Sequence, residues 1–124
     1  MLSREKAYPT VAVKDMAAAR KFYEGPLGLR ELSSEGPDFV AYRTKDSMLF
    51  VYTSNFAGTN TATAVTWIVA DVEKTVEDLK ARGVAFEHYD MPDTTRVGDV
   101  HVSGRTKVAW FKDPDGNIHS IAEE

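Results

Sequence analysis

Val13-Lys14-Asp15-Met16, a helical stretch and Gly28-Leu29 form a run that recurs about 56 residues later as Val69-Ala70-Asp71-Val72, a second helical stretch and Gly83-Val84. A second echo follows each helix, with Val40-Ala41-Tyr42-Arg43 set against Val108-Ala109-Trp110-Phe111. In both copies a β-branched run leads to an aspartate, whose carboxylate suits a helix N-cap, and glycine closes the helix. Self-similarity at this spacing predicts a duplicated supersecondary unit whose halves bury their apolar faces together. The repeat decides the fold before any single residue is assigned a role.

Outward from the two aspartates, the rest of each half follows. Tyr8 to Val13 reads as a strand, with Pro9 tolerated at its start. Met16 to Tyr23 places Ala19, Phe22 and Tyr23 on one helical face, and Gly25-Pro26 and Gly28 end that helix. Strands are predicted at about 30–33, 39–44 and 48–52, and Asn55 to Thr63 is a polar linker. The second half predicts a strand at 63–69, a helix from Val72 to Arg82 with Val72, Val76 and Leu79 in one stripe, and a strand from Val84 to Tyr89. Asp90 to Gly104 reads as a long loop and a candidate lid, followed by a strand pair at 105–112 and 118–122. Each half is therefore β-α-β-β-β. The expected fold is α+β, a curved mixed sheet around a groove with the helices outside, in a single domain with module one at about 7–54 and module two at about 63–123.

Bulk properties narrow the function classes. A chain of 124 residues with 43% hydrophobic and 27% charged content is expected to form one soluble globular domain. A formal net charge of −4 and a pI near 5.4 disfavour a nucleic-acid partner, which needs a basic face. The absence of cysteine excludes disulfides, thiolate nucleophiles and cysteine metal sites. The charged N-terminus and the lack of an apolar run of ~18 residues argue against a signal segment or a membrane span, so a cytoplasmic location is expected.

Near the end of the second half stands Phe111-Lys112-Asp113-Pro114-Asp115-Gly116-Asn117, followed by a short terminal strand. Alone, Asp-Pro-Asp-Gly-Asn is a turn. At the end of a duplicated β-α-β-β-β chain it resembles the vicinal oxygen chelate superfamily, which includes glyoxalase I, fosfomycin-resistance proteins, extradiol dioxygenases and bleomycin-resistance proteins. The resemblance covers about Tyr8 to Glu123. It implies metal ligands on the first and last strands of each half, at positions that fall here on Tyr8, Ala64, Ser120 and a site near Phe50. Zinc, nickel, manganese or iron in this fold needs imidazole or carboxylate donors, so no metal and no cofactor are expected. His119, one residue from the Ser120 position, is expected on the helix-packed face, because side chains alternate along a strand.

With Tyr8 and Ala64 facing the groove, period-two alternation adds Thr10 and Thr66 from the first strands. Tyr42, Phe50 and Tyr52 from one half, and Trp110 and Ser120 from the other, are assigned to its walls. An aromatic groove with scattered hydroxyls suits a small, flat organic ligand. The resemblance to bleomycin-resistance proteins implies sequestration without metal by a homodimer. The alternative is a lyase, isomerase or dioxygenase, metal-dependent or using an acid–base pair of Asp99 and His101 from the long loop.

Overall fold

A computed structural model of the chain describes residues 1–123. After a short 3-10 turn at Leu2–Arg4, the first half runs β1 (Thr10–Val13), α1 (Met16–Glu24), β2 (Arg30–Glu35), β3 (Phe39–Thr44) and β4 (Ser47–Thr53). The second half runs β5 (Thr63–Val69), α2 (Val72–Ala81), β6 (Phe86–Glu87), β7 (Thr95–Val97), β8 (Val100–Ser103), β9 (Thr106–Lys112) and β10 (Ile118–Glu123). The fold is α+β, with two mixed sheets in the order β1-β4-β3-β2 and β5-β10-β9-β8-β7, and with β6 pairing to β9. In each half the first strand lies parallel to the last, β1 beside β4 and β5 beside β10.

The caps act where the sequence placed them. The Asp15 carboxylate accepts from the Ala18 N–H at 3.1 Å and that of Asp71 from the Lys74 N–H at 3.0 Å, each satisfying one of the N–H groups that a helix start leaves unpaired. α1 ends at Gly25, where a Cβ would stand 2.5 Å from the Lys21 carbonyl oxygen, closer than any side chain tolerates.

Two clusters of buried side chains form the core. One packs α1 on the first sheet through Ala19, Tyr23, Val11, Val13 and Val51, and the other packs α2 on the second sheet through Val72, Val76, Phe111 and Ile121. Phe22, Leu27 and Trp67 touch both, so the halves share their helix-side core. The Asp-Pro-Asp-Gly-Asn turn fastens the joint. Asp113 accepts from the backbone N–H groups of Asp115 and Asn117, the Asn117 amide donates to the Ala12 carbonyl at 2.7 Å, and Asp115 accepts from the Lys14 N–H at 3.0 Å.

The segment read as a loop from Asp90 to Gly104 contains a hairpin instead. Thr95–Val97 pairs with Val100–Ser103 across Gly98-Asp99, with Gly98 at φ 62, the backbone a two-residue hairpin turn needs at its first central position. The density of aspartate and threonine hid two short strands. The strand expected from Val84 to Tyr89 is in turn confined to Phe86–Glu87.

Candidate functional site

Sheet register assigns the faces. β3 and β4 pair Phe39 with Tyr52, Ala41 with Phe50 and Tyr42 with Leu49, while β1 and β4 pair Thr10 with Phe50 and Ala12 with Tyr52. Residues directly opposite share a face. Thr10, Phe39, Phe50 and Tyr52 therefore line the groove face, and Tyr42 does not. Tyr42 lies in the core under α1, fully buried, and its hydroxyl donates to Glu24 at 2.8 Å. Burial, with Glu24 adding to it, pushes its phenol pKa up. The placement of Tyr42 on the groove wall is thus corrected. The two-residue turn Lys45-Asp46 sets Thr44 opposite Ser47, so even-numbered residues of β3 share a face with odd-numbered residues of β4. Phe39 is the aromatic that β3 contributes, and its ring centroid lies 5.2 Å from that of Phe50, which in turn lies 5.2 Å from that of Tyr8.

On the second sheet Ser120 is opposite both Thr66 and Trp110, and the Thr66 and Ser120 hydroxyl oxygens are 2.8 Å apart. The Trp110 indole N–H donates to the Thr63 hydroxyl at 3.2 Å. His101, on β8, is opposite Val108 of β9 and so joins this face. Its ring stands 4.8 Å from Trp110, and Tyr89 closes the cluster at 5.3 Å from Trp110 and 6.2 Å from His101.

Asp99 and His101 do not pair. Asp99 sits in the β7–β8 turn, where its carboxylate binds Lys80 Nζ at 2.7 Å and His88 Nε2 at 2.6 Å. Those bonds, Lys80 first, hold its pKa below the usual carboxylate value. His101 is 2% exposed, and its Nε2 accepts from the Tyr89 backbone N–H at 3.0 Å. The acid–base pair fails because the two residues, expected together on one long loop, belong to a turn and to a buried strand.

At the seam between the halves lies a cavity of about 160 Å³, lined among others by Thr10, Ala12, Tyr52, Ala64 and Asn117. Phe56, from the segment read as a polar linker, stands at this cavity with 80% of its surface exposed.

The positions at which the family resemblance implies metal ligands carry Tyr8, Ala64, Ser120 and, near the fourth, Phe50. None supplies an imidazole or carboxylate, and Tyr8 and Phe50 are packed ring to ring. These residues do not fit a divalent metal. The carboxylates of Asp71, Glu73 and Glu123 lie within 4.8 Å of one another, but at the start of α2, where Asp71 and Glu123 accept backbone N–H groups and Glu73 pairs with Lys107.

His119 faces the helices, as alternation requires, and is fully buried. The Trp67 indole N–H donates to its Nδ1 at 3.0 Å, and its Nε2 is 2.9 Å from the Tyr23 hydroxyl, which donates to Asp113 at 2.7 Å. An indole N–H is only a donor, so Nδ1 carries no proton and the chain of bonds runs one way, from Trp67 through His119 and Tyr23 to Asp113. Burial lowers the His119 pKa to about 4, and burial followed by Asp113 raises that of Tyr23. This network is a joint in the core.

Solved structures that superpose on the chain include a glyoxalase/bleomycin resistance protein from Catenulispora acidiphila, with TM-score 0.72 and 20% identity over 96% of this chain and 97% of that one. The bleomycin resistance determinant of transposon Tn5 matches with TM-score 0.73 and 17% identity over 97% and 98% of the two chains. The fosfomycin resistance protein FosX of Listeria monocytogenes matches with TM-score 0.72 and 16% identity over 98% and 91%. At such identities the likeness is one of fold. No curated protein matches the sequence significantly. Residues 7–120 match the family described as the Glyoxalase/Bleomycin resistance protein/Dioxygenase superfamily, and with so much of its length matched the chain belongs to that family.

Proposed function

We propose that this protein binds a small aromatic molecule on its groove faces without the help of a metal, and that it acts by sequestration. The observation that carries the reading is the exchange of donors for rings. Where a metal-dependent relative needs imidazoles and carboxylates, this chain packs Tyr8 at a tilt against Phe50 and Phe50 edge-to-face against Phe39. On the second sheet Trp110, flanked by Tyr89 and His101, offers a further aromatic surface beside the Thr66 and Ser120 hydroxyls. Aromatic walls with a few placed polar groups suit a flat ligand held by stacking.

A homodimer is part of the proposal. Tyr52 and Ile68, 41% and 58% exposed, are large apolar side chains on the groove faces, and a second copy seated there covers them. The test is equilibrium dialysis of bleomycin and of simple aryl probes against wild type and Trp110→Ala, with and without EDTA. Saturable binding that survives the chelator and is lost in Trp110→Ala is the expected result. Stoichiometric retention of zinc, nickel, manganese or iron, with binding that disappears in EDTA, overturns it.

A further inference from the structure

Two buried polar atoms on the groove side of the second sheet have no partner among the described residues: His101 Nδ1 and the Tyr89 hydroxyl. Their chemistry is set by their surroundings. His101 Nε2 accepts the Tyr89 backbone N–H, so that nitrogen carries no proton, and the neutral ring keeps its hydrogen on Nδ1. Nδ1–H is therefore a donor, and the phenol beside it is a second. Buried donors left unpaired are costly and uncommon in native proteins, and two in one ring cluster point to an acceptor supplied from outside the chain.

The charge at this corner is also defined. On β7, Arg96 stands opposite His101 and shares its face. Its guanidinium donates to the Gly98 carbonyl at 3.0 Å, and among the described residues it makes no ion pair. Of the acidic residues near this corner, Asp99 is held by Lys80 and His88 and Glu87 by Lys112, while Asp90 and Asp93, on the segment after Tyr89, make no ion pair among the described residues. Tyr89 is tied to His101 by its backbone N–H, but the chain beyond it is weakly held. From Asp90 to Thr94 no backbone–backbone hydrogen bond forms among the described residues, so opening this segment is cheap compared with opening a strand.

We infer that His101 and Tyr89 form a hydrogen-bonding subsite for a carboxylate borne by the aromatic ligand, with Arg96 as its counter-charge and residues 90–94, beyond Tyr89, moving aside to admit it. The ligand class is an aryl carboxylate, its ring against Trp110 and its oxygens on the His101 and Tyr89 donors. This rests on the reading of the groove as a ligand site and adds the group that it selects.

The test compares 2-naphthoate with 2-ethylnaphthalene, which has the same ring system and no oxygen, by equilibrium dialysis of the full chain. Wild type binds the carboxylate at least tenfold more tightly. Tyr89→Phe keeps the ring and removes one donor, so the preference for naphthoate over ethylnaphthalene falls about tenfold. Its melting temperature is no lower than wild type, because the lost hydroxyl was unpaired; a hydroxyl with a purely structural role would lower it. Arg96→Gln, at an exposed position that tolerates substitution, weakens naphthoate about threefold and leaves ethylnaphthalene unchanged. Equal affinity of wild type for both probes, or full naphthoate affinity in both variants, overturns the subsite and leaves the groove reading standing. Failure of wild type to bind either probe refutes the groove reading and the subsite with it.

Discussion

Acid should loosen this protein through one residue, His119. Its pKa is about 4 in the folded chain because the ring is buried, against an ordinary value of 6.5 once unfolded. Between those two values the unfolded chain takes up a proton that the folded chain refuses. Stability is therefore fully present above about pH 6.5 and is lost as pH falls toward 4. The shift is worth about 3 kcal/mol when complete, and about 2 kcal/mol is already gone at pH 5. The geometry gives the same sign, since a proton on Nδ1 meets the Trp67 indole N–H, and two donors cannot share a bond.

His119→Gln isolates the effect, because its amide donates toward Tyr23 and does not titrate. The assay is urea unfolding of both proteins from pH 7 to pH 4.5, read as the difference between their stabilities. The variant is the less stable at pH 7, and the gap closes by about 2 kcal/mol at pH 5, with carboxylates and the other histidines common to both proteins. Parallel profiles, or an imidazole NMR titration of His119 near 6.5 in the folded protein, would falsify the argument.

Two further outcomes follow from the joint between the halves. Tyr23→Phe leaves the buried Asp113 carboxylate and His119 Nε2 each short of a partner, and lowers stability by about 2–3 kcal/mol in urea melts at pH 7. Gly58→Ala forces a side chain into a backbone with φ +76 and against the Asp115 carbonyl oxygen, and costs about 1–3 kcal/mol by thermal unfolding. A melting temperature equal to wild type in either variant removes the corresponding contact from the account.

Features that depend on neighbours along the chain were legible in the sequence. The repeat, the two capping aspartates, the helix-ending glycines and the alternation that sends His119 to the helix side are all written within a few residues of where they act. The site was legible in part. Thr10, Phe50 and Tyr52 share one sheet face and Thr66, Trp110 and Ser120 the other because period-two alternation holds within a strand. Phe39 and Tyr89 were missed, and the signal for Phe39 was present: a two-residue turn at Lys45-Asp46 inverts the parity between its strands.

What only the tertiary structure decided was the partnering of groups far apart in sequence. Asp99 meets Lys80 from α2 and His88 beyond β6, not His101 two residues away, because the turn directs it there. Tyr42 turns its ring into the core toward α1. His101, polar and in a segment dense with loop-forming residues, is buried against Tyr89 and Trp110 with one nitrogen unpaired among the described residues. Local sequence sets periodicity, caps and turns, since those are short-range steric and hydrogen-bonding choices. Strand register and packing then select which face each periodic set presents and which distant group satisfies it, and that selection exists only once the chain has closed on itself.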